Sequence, residues 1–282
     1  MPDGAPALRV PRRARGALVG HTWRVDTIVK ARADAPEGFF EAEAAGLAWL
    51  ASAGGVRTAA VVSVNPGRIE LERIPDARPT SSSAAEFGAS LARTHAAGAR
   101  AFGVAPEGWR GPLFIGRRHL PEGDERSWGA FYARDRVLPY LAVAEEVGNT
   151  TASEAAVVRR AADLIATGAF DVDEPPARIH GDLWNGNVLW SPDGVVLIDP
   201  AAHGGHRETD LAMLALFGCP FLDDVLAAYV LARPLRRGWR DRVPVHQLHP
   251  LAVHAAGHGR DYGIALAEAA GAVLELVRSS RE

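Results

Sequence analysis

Arg178-Ile179-His180-Gly181-Asp182-Leu183-Trp184-Asn185-Gly186-Asn187-Val188-Leu189-Trp190, followed after a short turn by Val195-Val196-Leu197-Ile198-Asp199-Pro200, is the stretch on which the reading of this chain turns. It sets an aspartate in a loop, an asparagine five positions on, and a second aspartate at the end of a short apolar run. Val188-Leu189-Trp190 predicts a short buried strand, Ser191-Pro192-Asp193-Gly194 a turn, and Val195 to Ile198 the returning strand. Folding that hairpin back brings Asp199 beside Asn187. Gly181 and Gly186 are read as positions whose backbone angles a side chain would resist.

Those parts suit one chemistry. Moving the γ-phosphoryl group of ATP needs a carboxylate for the proton of the attacking hydroxyl, and an amide oxygen with a second carboxylate to hold magnesium. Asp182 is the candidate base, and Asn187 and Asp199 are the candidate magnesium ligands. The Asp-to-Asn spacing is that of the kinase catalytic loop, H-R-D-L-x-x-x-N. Gly181 stands where that loop carries Arg, which implies an enzyme not switched by a phosphorylated activation loop. The plain alternative is a hairpin rich in turn formers, with Asp182 as a cap and Asn187 in a turn. The coincidence of His-Gly-Asp, the spaced Asn, the hairpin and the terminal Asp outweighs it.

Working outward, Trp23 to Lys30 alternates as a strand should and ends on Lys30, a candidate for the ATP phosphates. A helix is predicted from Phe39 to Ala53, with Phe39, Glu43, Leu47 and Leu50 on one face. Glu43 is thus an acid on an apolar stripe and needs a cationic partner, for which Lys30 is the candidate. Ala59 to Val64 and Arg68 to Ile74 read as two more strands joined by Asn65-Pro66-Gly67. The backbone from Glu72 to Ile74 is where an adenine would hydrogen-bond. Gly16 to Thr22 is the candidate phosphate-covering loop, with an ordinary turn as the other reading. These elements make an expected small lobe, residues 1–74, and the rest a larger, mostly helical lobe, residues 75–282.

In that second lobe, Ser83-Ala84-Ala85-Glu86 predicts a capping box before a helix carrying Leu91 and His95, the latter read as a packed or surface histidine rather than a ligand. Residues 98–123 read as a long irregular loop rimming a substrate pocket. Helices are predicted from Ser127 to Val147 and from Ser153 to Ala169. Another, ending near Gly218, carries Asp210 on an apolar stripe. Asp210 could accept backbone N–H groups of the catalytic loop, or simply complement a helix N-terminus. Residues 220–282 read as helical with breaks at Pro234, Pro244 and Pro250. Trp184 and His254 are candidates for a sugar-binding wall. His203 and His206 lack companions at metal-ligand spacing.

The 282 residues suffice for a sizeable core, and a net charge of −3 implies no general attraction to nucleic acid. The lone Cys219 excludes an internal disulfide and fits a reducing compartment. Arg12, Arg13 and Arg15 precede no apolar run of signal-peptide length, and no run approaches the roughly 20 apolar residues of a membrane span. A cytoplasmic monomer is the expectation.

The residues His180-Gly181-Asp182-Leu183-Trp184-Asn185-Gly186-Asn187 resemble the HGDLWxGN signature of the fructosamine kinases, or ketosamine-3-kinases, relatives of the aminoglycoside phosphotransferases. Phe40 to Leu47, Leu91 to His95 with Phe102-Gly103, Arg207 to Met213 with Leu216-Phe217-Gly218, and Gly238-Trp239 with Gln247 to His254 resemble further segments of that family. The resemblance implies an α+β, bilobal, protein-kinase-like fold and the use of ATP with magnesium. It implies phosphorylation of the 3-hydroxyl of a ketosamine, a fructosamine or ribulosamine, free or on a glycated protein lysine, and hence deglycation. It also implies Asp182 as base, Asn187 and Asp199 on magnesium, and Lys30 with Glu43 at the phosphates. Only seven residues lie between Thr22 and Lys30, and Thr94 replaces an expected leucine. The cysteine that links two chains in some relatives has no counterpart in Gly16 to Thr22, so a redox dimer is not expected. A kinase for another hydroxylated amine, aminoglycoside or choline-like, is the second reading. A nucleotide-binding pseudokinase is a third, opposed by the presence of Lys30, Asp182, Asn187 and Asp199 together.

Overall fold

The structure is a computed structural model that describes residues 26–279. The expected loop from Gly16 to Thr22, and Trp23 to Val25 of the expected first strand, lie outside the described residues. Within them the fold is α+β and bilobal. The chain opens with β1 (Thr27–Ala31), α1 (Phe39–Ala51), β2 (Arg57–Thr58), β3 (Val61–Asn65) and β4 (Arg68–Glu72). Strands β1, β4 and β3 form an antiparallel sheet in that order, with Lys30 opposite Ile69. Pro66-Gly67 makes the β3–β4 turn, with Gly67 at φ 74°. Ile69 and Leu71 of the sheet pack with Phe40 and Leu47 of α1 in one buried cluster.

The chain continues through α2 (Ser81–Ala96), the hairpin β5 (Leu113–Ile115) and β6 (Arg118–Leu120), and α3 (Trp128–Phe131). A π-helical turn over Tyr132–Val137 leads into α4 (Leu138–Glu146), then α5 (Ala152–Ala166) and β7 (Ala177–Ile179). There follow β8 (Val188–Ser191), β9 (Gly194–Leu197), β10 (His203–Gly205), α6 (Arg207–Phe217), α7 (Leu222–Ala232), α8 (Val243–Ala255) and α9 (Arg260–Ser279). The largest core lies among α3, α4, α5, α8 and α9, with Trp128, Phe131, Leu141, Val158, Leu248 and Leu266 all buried. A second core wraps the β8–β9 hairpin, where Val188, Trp190 and Leu197 meet Phe87 and Leu91 of α2 and Tyr229 of α7.

One ladder was not expected. β2 pairs in parallel with β9, Arg57 opposite Val196 and Thr58 opposite Leu197, and Ala59 N–H donates to the Leu197 carbonyl at 3.0 Å. The small lobe is thereby hydrogen-bonded to the hairpin that carries Asp199. Three further expectations are corrected. The cap of α2 is Thr80, not Ser83: Thr80 Oγ1 accepts Ser83 N–H at 3.1 Å and Ser83 Oγ accepts Thr80 N–H at 3.0 Å. Residues 98–123 are not wholly irregular, since they contain the β5–β6 hairpin. Pro250 does not break a helix but lies inside α8. A proline frees the carbonyl four residues before it, and here that carbonyl, on His246, accepts the Tyr132 hydroxyl at 2.9 Å. Among the described residues no helix is long and apolar enough to cross a membrane.

Candidate active site

β7 delivers the chain into the catalytic loop, held from the other side by β10, with Ile179 opposite His203. At Gly181 φ is +80°, and a Cβ built there would lie 2.3 Å from the Ala201 carbonyl oxygen. Glycine is required on both counts. We expect Gly181→Ala to cost about 2 kcal/mol of stability from the left-handed backbone alone. Because the displaced Ala201 is two residues from Asp199, we expect turnover to fall about a hundredfold; unchanged kcat in that variant would contradict the fit. Gly186 is glycine for a different reason from the one read in the sequence. Its φ is not left-handed, and a Cβ would meet the Trp184 ring at 2.3 Å.

His180 is fully buried, and burial holds its imidazole below the usual range. Its Nδ1 accepts Asp182 N–H at 3.2 Å and its Nε2 donates to the Ile198 carbonyl at 2.9 Å, which assigns a neutral ring protonated on Nε2. The ring thus ties the loop to Ile198, which links the end of β9 to Asp199. Asn187 turns its amide nitrogen to the Asp182 carbonyl at 2.8 Å and to Asp182 Oδ2 at 3.3 Å. Burial pushes the Asp182 carboxyl up to about 6; the Asn187 hydrogen bond opposes this, and the Asp210 charge adds to it. Asp199 stands at φ 53°, one of two non-glycine residues in the left-handed region among those described. Lys30 Nζ bridges Glu43 Oε1, at 2.6 Å, and Asp199 Oδ1. Three of the polar groups singled out in the sequence therefore meet in one contact across the two lobes.

Asp210 is fully buried and reaches the catalytic loop. Its Oδ2 accepts His180 N–H at 2.8 Å and its Oδ1 accepts Gly181 N–H at 2.9 Å. Burial works against its charge, but the His95 ring and the other donors around it outweigh burial and hold the carboxyl below its usual range. His95, read from the sequence as a packed or surface histidine, is buried and approaches Asp210 Oδ2 through Nε2 at 3.1 Å and the Tyr229 hydroxyl through Nδ1 at 2.8 Å. The signal that could have found it is its place four residues after Leu91 on the buried face of α2, a polar ring on an apolar stripe.

Other expected residues fall elsewhere. Glu72 N–H is used by the Ala60 carbonyl at 2.9 Å and Arg73 N–H by Asp26 at 2.8 Å. The Glu72 carboxylate is taken by Ala60 N–H and Arg57. Of the N–H groups along the expected adenine edge, only that of Ile74 has no hydrogen-bond partner among the described residues. His254 sits in a ring cluster with Phe217 at 4.5 Å and Tyr262 at 4.9 Å, its Nδ1 on the Pro250 carbonyl, and it does not line the cavity described below. Single ligand atoms of His206, Glu208 and His246 lie within 4.8 Å of one another. Both Glu208 oxygens, however, are held by Arg242 at 3.0 and 2.6 Å, so a guanidinium already balances the charge a cation would need.

A cavity of about 290 Å³ opens where these elements converge. Lys30, Glu43, Asp182, Asn187 and Asp199 line it with polar groups, and Phe39, Phe40, Phe114 and Trp184 with aromatic rings. An ionisable carboxyl near neutrality, a lysine fixed by two acids and an aromatic wall can together orient and deprotonate a hydroxyl beside a phosphate chain.

Comparison with known proteins agrees in kind. The fructosamine kinase family model matches residues 16–275. The chain is 31% identical over 255 residues to a probable ketoamine kinase of Enterococcus faecium, covering 88% of this chain and 89% of that one. A crystal structure from Thermobifida fusca, assigned as a fructosamine-3-kinase, superposes with a TM-score of 0.83 at 45% identity, covering 88% of this chain and 85% of that one. A choline kinase of Streptococcus pneumoniae, at 17% identity and a TM-score of 0.58 over 88% of this chain and 86% of that one, shares the protein-kinase-like fold. The chain belongs to the fructosamine kinase family, phosphotransferases that act on a sugar hydroxyl.

Proposed function

We propose that the protein phosphorylates the 3-hydroxyl of a ketosamine, a fructosamine or ribulosamine on a free or protein-bound lysine, at the expense of ATP. The observation that carries this reading is the meeting of Asp182, Asn187, Asp199, Lys30 and Glu43 around one aromatic-walled cavity, in a chain that belongs to this family. Asp182 takes the proton of the attacking hydroxyl as the new P–O bond forms and the bond to ADP breaks. Its raised pKa makes it basic enough for that task while leaving it mostly ionised at neutral pH. Lys30, oriented by Glu43, would hold the α- and β-phosphate oxygens.

The donor set fits magnesium. Asn187 spends its amide nitrogen on Asp182, which leaves its oxygen for a hard cation, and Asp199 adjoins it, its backbone carbonyl 3.5 Å from that nitrogen and its carboxylate lining the same cavity. Bound there, magnesium would neutralise charge on the triphosphate. Trp184, its ring lying over Gly186 and 42% exposed, would offer its face to the C–H side of a sugar ring. The test is the position of the new phosphate, read by phosphorus and carbon NMR after incubation with fructosyl-lysine or ribulosyl-lysine and Mg-ATP. A 3-phosphate supports the reading, and a phosphate on any other oxygen overturns it.

A further inference from the structure

The β5–β6 hairpin belongs to the large lobe by its anchors. Arg118 donates to the Ala256 carbonyl just after α8, and the Tyr140 hydroxyl of α4 donates to the His119 carbonyl at 2.9 Å. Its near strand nevertheless reaches the small lobe. The Phe114 ring lies 5.2 Å from the Phe39 ring at 57°, and Phe39 opens α1. Just before the hairpin, Trp109 Nε1 donates to the Pro112 carbonyl at 3.2 Å, and a Cβ built on Gly38, which precedes α1, would lie 3.4 Å from Pro112 and 3.6 Å from the Trp109 ring. The Phe39 ring is further held by Phe40, edge-on at 5.1 Å, and by the Arg32 guanidinium at 5.1 Å.

Phe39 is four residues before Glu43, hence on the same face one turn earlier. Glu43 in turn holds Lys30 at 2.6 Å. Whatever fixes Phe39 therefore fixes the carboxylate that aims the lysine. Phe114 and Gly116 of the hairpin also line the cavity, together with Phe39, Asp182 and Trp184. A molecule seated there touches both sides of the contact at once.

We infer that the β5–β6 hairpin is a clasp across the cleft in which Phe114 is a positioning residue. By gripping Phe39 it holds the Glu43–Lys30 pair in place for nucleotide, and filling the cavity with an acceptor tightens that grip. The second half rests on the reading of this cavity as the acceptor site. Coupling of this kind is reciprocal: nucleotide strengthens acceptor binding by the same factor that acceptor strengthens nucleotide binding. It gives the enzyme an ordered α1 without a phosphorylated segment.

The test is calorimetric titration of the full chain with a non-hydrolysable ATP analogue and magnesium, with and without saturating fructosyl-lysine. In the unsubstituted protein the acceptor tightens the analogue about tenfold. Phe114→Ala weakens the analogue several-fold without acceptor and removes most of the acceptor's effect. Phe114→Tyr, which keeps the ring, restores both. Phe39→Ala behaves like Phe114→Ala, and the double variant is no worse than either single one, because both break one contact. Unchanged analogue affinity in Phe114→Ala, or losses that add in the double variant, overturns the clasp. The analogue titrations decide it even if fructosyl-lysine is not turned over, an outcome that would instead sink the acceptor assignment and, with it, the coupling.

Discussion

Asp182→Asn lowers turnover by about two to four orders of magnitude, the usual contribution of a general base, or roughly 3–5 kcal/mol of the barrier. The replacement has the same shape, so Asn187 still finds an oxygen at position 182 and the loop keeps its form. Lys30, Glu43 and Asp199 make no side-chain bond to Asp182, and nucleotide affinity stays nearly unchanged. Stability moves the other way. A carboxyl raised from the ordinary 3.8 to about 6 favours the protonated form in the folded chain. Above pH 6 its charge therefore works against folding, and at pH 8 the asparagine variant melts at or above the temperature of the unsubstituted protein. Single-turnover kinetics with a melting curve checks both. Retained turnover would remove Asp182 as the base, and a large loss of melting temperature would mean the residue is structural.

Asp210→Ala has the largest expected effect on stability. It strips the partner from His180 N–H, Gly181 N–H and His95 Nε2 in a fully buried place. Removing one member of a buried charged network costs about 3–5 kcal/mol. For a chain of this size that lowers the melting temperature by roughly 10 °C. Turnover falls about a hundredfold as well, because the loop that aims Asp182 loses its anchor. Asp210→Asn keeps the volume but offers one acceptor oxygen where two N–H groups wait, so its losses lie between. A melting temperature within a degree or two of the original, with activity kept, would show that the loop holds itself.

What could be read in the sequence follows from range. Asp182, Asn187 and Asp199 lie within one loop and one hairpin, so spacing and turn chemistry were enough to bring them together. Lys30 and Glu43 were legible because a helical period put an acid on the face of Phe39, Leu47 and Leu50, and an acid there needs a cation. The β2–β9 ladder was not legible, since a two-residue strand has no period to detect. Neither was the contact of Phe114 with Phe39, which joins a stretch rich in Gly, Pro and Arg to a distant helix start. Thr80-Ser81-Ser82-Ser83 offers several equivalent caps, and only geometry distinguishes them. His254 was misplaced because a helix face turned toward Phe217 and Tyr262 looks, in one dimension, like a face turned toward a ligand. Asp210 was visible as an acid on an apolar stripe, but His95 was read as a packed or surface ring, and nothing in the chain said that the two answer one another.

The most direct measurement is ADP release with Mg-ATP across fructosyl-lysine, ribulosyl-lysine, psicosyl-lysine, kanamycin, choline and no acceptor. Release confined to the ketosamines, and lost in Asp182→Asn, is the predicted result. Release with kanamycin or choline alone, or none at all while Mg-ATP still binds, would contradict the account.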